Sequence, residues 1–314
     1  PDGEFKVFQP RIKGLEYSIS HYEGHEKFVI LTNKDQATNF KLMTCPENAT
    51  AIANWTEFIP HRAETLIEDY SLFNNHIVIS EITNGLLNVR IINESKGEDY
   101  YLPFNDETYV VYSSGNTEFK TNKLKYWYTS LTNPCTTYEF DMDTREQEIL
   151  KQQEIIGVFN PGDYSSKRIF ATSRDGVQVP ISLVYKNTTK IDGTAPLLQY
   201  SYGSYGSSTE PYFSSSRLSL LNRGFIFAIA HIRGGEEMGR QWYEDGKLEK
   251  KWNTFYDFID CSKHLISEGY TNESKLFAMG GSAGGLLMGV IVNENPELYQ
   301  GVLAAVPFVD VMTT

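Results

Sequence analysis

The stretch Phe277–Gly289, FAMGGSAGGLLMG, constrains this chain more than any other. An apolar run enters it, a serine stands between two glycine pairs, and a second apolar run leaves it. Gly280-x-Ser282-x-Gly284 is the nucleophile-elbow pattern, in which a serine sits on a sharp turn from a strand into a helix. Such a turn needs glycines because the strained serine brings its neighbours close to other backbone. Leu276–Met279 reads as the strand. Gly284–Asn293, rich in Leu286, Leu287, Met288, Val290 and Ile291, reads as the helix, and Pro296 stops it. A glycine-rich turn with an incidental serine shares the bare pattern, so the flanking strand and helix carry the assignment. Ser282 is therefore the candidate nucleophile, and the helix N-terminus beneath it favours developing negative charge.

The surroundings agree. APLLQYSYG, GFIFAIAHIRGG and KLFAMGGSAGG are apolar runs ending in glycine, with helix-like segments between them. YDFIDCSKHLISEGY places Phe258, Ile259, Cys261, Leu265 and Ile266 on one face and stops at Gly269. Buried strands alternating with helices predict a parallel sheet flanked by helices, over residues 158–314. RIFATSRDGVQVPISLVYK adds a hairpin around Asp175-Gly176. Residues 1–157 differ: short alternating runs are cut by turn residues, with hairpins at Phe28–Thr44 and around Asn84-Gly85. LKYWYTSLTNPCTTYEFDMDTREQEIL gives further strands and a polar turn at Asp141–Arg145. Repeated strand–turn–strand units suit propeller blades; a sandwich is the alternative, and periodicity does not choose.

Charge and composition narrow the partners. A net charge of −12 argues against nucleic acid, whose phosphates demand a basic surface, and favours the approach of cationic ligands. Cys45, Cys135 and Cys261 are an odd, widely spaced set without zinc spacing, which points to reduced thiols in a cytosolic-type compartment. No stretch approaches ~18 apolar residues and the first residues have no apolar leader core, so neither a membrane span nor a signal peptide is read. No metal-ligand spacing or phosphate loop is present, and no cofactor is expected.

A serine nucleophile needs a base. In an elbow fold the partners follow in the order Ser, Asp or Glu, His. All six histidines precede Ser282: His21, His25, His61, His76, His231 and His264. His231, at a strand end before RGG, is the candidate nearest a sheet rim, but its order is wrong. His264 lies on the predicted helix, and Asp310 follows the elbow too closely and reads as a strand-end residue. The triad is not completed within these residues.

YGSYGSS, RLSLLNRGFIFAIAHIRGGEEMGRQWYEDGK, KKWNTFYDF and GGSAGG resemble the prolyl oligopeptidase family of serine peptidases. WYEDGK and PFVDVMTT are similar to its oligopeptidase B branch. VFQPR and EFDMDT (Glu139–Thr144) are similar to its propeller, so the resemblance covers the whole chain. It implies a seven-bladed propeller, here partial, and an incomplete α/β-hydrolase domain, together cleaving short basic peptides after Arg or Lys in the cytoplasm. By the same resemblance Ser282 attacks the scissile carbonyl, Tyr202 and the Ala283 backbone N–H form the oxyanion hole, and Glu210 helps bind basic side chains. Without the family, Tyr202 reads as a packed aromatic and Glu210 as a solvated loop carboxylate. Three positions depart from the family pattern: Tyr212 replaces a second acid, Glu236 a glycine and Ser201 a glycine. The resemblance further implies that material is missing at both ends, including the catalytic Asp and His, and that this stretch alone is inactive. A proline-specific or acyl-peptide hydrolase of the same fold, and a non-catalytic hydrolase-like binding module, are the rival readings.

Overall fold

The computed structural model describes residues 3–310 and Met312, so Val311, Thr313 and Thr314 of the PFVDVMTT run lie outside it. The chain divides into two compact units. The first comprises Pro1–Pro103, Tyr112–Tyr126 and Glu139–Glu148; the second comprises Phe104–Val111, Trp127–Tyr138 and Ile149–Thr314.

The N-terminal half forms four-stranded sheets, each from four consecutive strands, as blades require. β1 (Tyr17–Tyr22), β2 (Lys27–Thr32), β3 (Lys41–Pro46) and β4 (Thr56–Ile59) make the first. β5 (Thr65–Leu72), β6 (Ile77–Thr83), β7 (Leu86–Asn93) and β8 (Glu98–Tyr101) make the second. β9 (Tyr109–Ser113), β10 (Lys123–Ser130), β11 (Thr136–Asp141) and β12 (Gln147–Gln152) make the third. The β6–β7 turn shows why the sequence folds so: Thr83 pairs with Leu86, leaving Asn84 and Gly85 as a two-residue loop at φ 51° and 71°. Both central residues of a type I′ turn need positive φ, which Asn-Gly supplies at least cost. At the polar turn after β11, Asp141 accepts from the Asp143 and Thr144 amides, and chiefly the Thr144 bond pulls its carboxyl down to about 2.

The second unit holds β13 (Tyr164–Thr172), β14 (Gln178–Lys186), β15 (Leu197–Tyr200), β16 (Ile226–Ala230), β17 (Leu276–Gly281) and β18 (Gly301–Ala305). Their order is β13-β14-β16-β15-β17-β18. The last four run parallel, as expected. The Asp175-Gly176 hairpin adds β13 and β14 antiparallel to the same sheet, which the parallel expectation did not include. A short turn can join only antiparallel neighbours, so the hairpin extends the sheet at one edge.

Strand alternation sends side chains to two faces. Leu197, Ala228, Leu276 and Ala278 pack with Phe258, Ile259, Cys261 and Leu265 of α3 (Trp252–Ser267) and with Leu287, Met288 and Ile291 of α4 (Ala283–Glu294). Burying each of the larger side chains contributes about 1.5–3 kcal/mol. Leu198, Phe227 and Ile229 point the other way, with Leu218 and Leu221 of α1 (Ser215–Leu221). The result is the strand–turn–helix setting that the elbow pattern requires. Among the described residues no helix is long and apolar enough to cross a membrane.

Candidate active site

Ser282 is exposed between β17 and α4, with φ 54° and ψ −115°. A side chain in this region is strained by ~1–3 kcal/mol, which the surroundings must offset. They do so with backbone bonds, including one from Leu286 N–H to the Ser282 carbonyl at 3.2 Å. Ser282 N–H donates to Ala305 O at 3.0 Å, while its carbonyl accepts from Gly285 N–H at 2.9 Å and Phe308 N–H at 3.0 Å.

The glycines clear the space. A Cβ on Gly280 would overlap the Gly284 carbonyl, and one on Gly285 would overlap Pro307. A Cβ on Gly284 would stand 2.9 Å from Ser201 O and 3.6 Å from the Tyr202 ring. The elbow and the Tyr202 loop therefore touch through a position where only hydrogen fits. Ala283 is the first residue of α4, and the first-turn amides of a helix have no intrahelical acceptor. Its N–H belongs to a terminus that carries partial positive charge.

Tyr202 follows β15, which runs parallel beside β17 with Tyr200 opposite Met279. The two candidate groups thus leave the carboxyl ends of adjacent parallel strands, where open α/β sheets bind ligands. Beyond Tyr202 the chain makes a tight loop. Gly203, at φ +67°, leaves no room for a Cβ against Thr254 and Ile232, and Gly206 N–H donates to Gly234 O at 2.9 Å. Ser201, standing at a family glycine, is 1% exposed and its hydroxyl donates to Ala230 O at 2.7 Å.

The loop leads to Glu210, which with Tyr202, Tyr212, Arg217 and Met279 lines a cleft of 620 Å³. Ser282 is not among the cleft's lining residues. Arg217 donates to Tyr212 O at 2.8 Å and lies 4.2 Å from the Phe227 ring centre; burial brings its guanidinium down to about 10. Glu236, the other departure, pairs with Arg240 at 2.7 Å and leans on Gly206.

Among the described residues no histidine hydrogen-bonds to Ser282. His231 is 5% exposed, and its Nε2 lies 2.7 Å from the Ser182 hydroxyl, which is 2.8 Å from that of Thr108. His264 lies half-buried on α3. Asp310 is exposed and falls after β18 ends, not at a strand end as expected, and accepts from Met312 N–H.

Three residues escaped the sequence reading. Lys251 donates to the loop at Gly203 and Ser204, and Glu237 accepts from Thr209 N–H. Asp257, 0% exposed, grips Arg233 by Nε at 2.8 Å and Nη2 at 2.6 Å. The density of charges within RGGEE and EKKW signals Glu237 and Lys251, and nothing in the sequence marks Asp257.

Two family descriptions match the chain. Residues 2–153 match the prolyl oligopeptidase N-terminal beta-propeller domain, and residues 211–314 match the prolyl oligopeptidase family. The chain belongs to the prolyl oligopeptidase family. Dipeptidyl aminopeptidase BI of Pseudoxanthomonas mexicana is 46% identical over 99% of this chain and 43% of its own length. Protease 2 of Moraxella lacunata is 37% identical over 100% of this chain and 44% of its own length. The structure of oligopeptidase B from Trypanosoma brucei with covalently bound antipain superposes with a TM-score of 0.92 at 39% identity, covering 97% of this chain and 44% of that one. Oligopeptidase B from Leishmania major gives a TM-score of 0.92 at 34% identity, covering 98% and 44%. The chain thus spans less than half the length of these relatives.

Proposed function

We propose that the whole protein is a serine oligopeptidase of the oligopeptidase B kind, cleaving short peptides on the carboxyl side of Arg or Lys. The strained, exposed backbone of Ser282 at the β17–α4 junction carries this reading, because nothing in the packing alone requires a non-glycine residue there. Ser282 Oγ attacks the scissile carbonyl and an acyl-enzyme forms as the amine leaves. The Tyr202 hydroxyl and Ala283 N–H donate to the oxyanion; such donors are worth about 10² to 10³ in rate each. Glu210 receives the basic side chain in the cleft, supported by the net charge of −12. We place the domain boundary at residues 157/158. The base and its acid come from segments other than those described, so this stretch alone is inactive. The three free cysteines support a reducing, cytoplasmic setting.

The test uses the full-length protein with fluorogenic peptides that differ only in Arg or Pro before the bond. Arg preference that Ser282→Ala abolishes is the expected result; undiminished turnover in that variant would refute the mechanism. The similarity to a protein named as a dipeptidyl aminopeptidase favours a second reading, release of dipeptides from a free N-terminus. Matched peptides with blocked and free amino ends separate the two.

A further inference from the structure

Lys251 stands at the entry to α3, with its amine directed into the protein. Three features make this position costly. The amine is largely removed from water, no carboxylate pairs with it among the described residues, and it sits at the positive end of a 16-residue helix. Its nearest aromatic contact, the Phe255 ring centre at 5.8 Å, is too distant to compensate much. A lysine chosen for stability would face water or an acid.

What the amine does there is local. Nζ donates to the Gly203 carbonyl at 2.5 Å and to the Ser204 hydroxyl at 2.8 Å. These are the two residues that follow Tyr202. The same carbonyl is confined on its other side by Gly234, where a Cβ would overlap it. Bonds from an ionised donor are shorter and roughly twice as strong as neutral ones, so the grip fixes the peptide plane one residue beyond Tyr202.

Resting on the oligopeptidase reading, we propose that Lys251 is a positioning residue for the oxyanion hole: by holding Gly203 and Ser204 it sets where the Tyr202 hydroxyl meets the developing charge. Lys251 touches neither substrate nor Ser282. Its effect on reaction at Ser282 therefore passes through Tyr202 and vanishes when that hydroxyl is absent.

The experiment measures the rate at which a fluorophosphonate labels Ser282 in the full-length protein, where Ser282 Oγ displaces fluoride. Wild type, Lys251→Met, Tyr202→Phe and the double variant form a cycle, with Ser282→Ala as blank. We expect Lys251→Met to slow labelling roughly tenfold or more, within the range for loss of one oxyanion donor. In the Tyr202→Phe background it should change the rate less than about threefold. Equal labelling of Lys251→Met and wild type, or the full loss persisting in Tyr202→Phe, would overturn the inference and leave the peptidase reading intact. Wild type that does not label at Ser282 would overturn both. Should Lys251→Met fail to fold by circular dichroism, Ser204→Ala replaces it in the same cycle. It removes one of the two acceptors and should slow labelling about two- to fivefold only when Tyr202 is present; no such dependence on Tyr202 overturns the inference.

Discussion

The buried carboxylate of Glu237 accepts a 2.7 Å hydrogen bond from the backbone N–H of Thr209, the residue before Glu210. A side chain of the RGGEE turn thereby fixes the approach of the segment that carries the candidate basic-side-chain receptor. Glu237→Ala leaves that N–H without its acceptor, at about 1–3 kcal/mol for a buried donor. With the full-length protein, KM for an Arg peptide should rise several-fold while kcat changes less. Glu237→Gln keeps an oxygen acceptor and should restore most of the loss, as steady-state kinetics would show.

The two glycines before Ser282 are not equivalent. A Cβ on Gly280 overlaps the Gly284 carbonyl, whereas one on Gly281 meets Ala305 O at an ordinary 3.6 Å. Gly280→Ala should cost ~1–3 kcal/mol, the usual penalty of overpacking, and abolish labelling of Ser282. Gly281→Ala should fall within about 1 kcal/mol of wild type by urea unfolding and still label.

Two Arg–Asp pairs of the second unit should behave differently. Asp257, 0% exposed, also accepts from Ser173 Oγ at 2.8 Å, so Asp257→Ala leaves the buried Arg233 charge with Asp175, at 2.6 Å and more exposed, as its remaining carboxylate partner. That loss should reach about 2–3 kcal/mol, below the penalty for a wholly unpaired buried charge. Arg174, with 42% of its side chain exposed, pairs with Asp260 at 3.0 Å; Arg174→Ala should cost about 0–1 kcal/mol. Denaturant titration of both variants checks the contrast.

Burial pulls the Lys251 amine down to about 8 from an ordinary 10.5. Between those values the unfolded chain binds more protons than the folded one, so this group makes stability rise with pH. Below about pH 8 its contribution is constant. Tyr70 and Tyr299, whose hydroxyls burial holds above their usual range, act oppositely once pH passes about 10. The thiols of Cys45, Cys135 and Cys261, which burial pushes up, also act oppositely from about pH 9, so the prediction is a difference. Between about pH 8 and 10 the urea midpoint of wild type should rise relative to that of Lys251→Met.

Local signals were legible where one residue type has one physical use. Asn84-Gly85 specifies its hairpin because few residues tolerate those backbone angles, and Gly280 and Gly284 around Ser282 specify the elbow because a Cβ has no room there. Phe258, Ile259, Cys261 and Leu265 show their helix face by spacing alone. The antiparallel edge was not legible, since the pattern of β14 does not say which strand it will join. Lys251 and Glu237 stayed hidden for a similar reason. A charged residue in a polar run reads as solvated, and only the fold turns these two inward onto the loop after Tyr202. The base for Ser282 could not be read because no described histidine reaches it.

A serine hydroxyl does stand 2.7 Å from an imidazole in this molecule, but it belongs to Ser182, which is 1% exposed. His231 and Glu237 extend the row, with 3.8 Å between Nδ1 and the carboxylate. By interatomic spacing alone, this buried trio looks more like a charge-relay set than anything around Ser282. The trio is buried, and Ser182 lies in ordinary strand geometry within β14, where no acyl group can reach. A search for enzymes by three-atom templates would therefore select the wrong serine here. Accessibility and a distorted main chain discriminate a reactive hydroxyl from a structural one better than proximity to a base does.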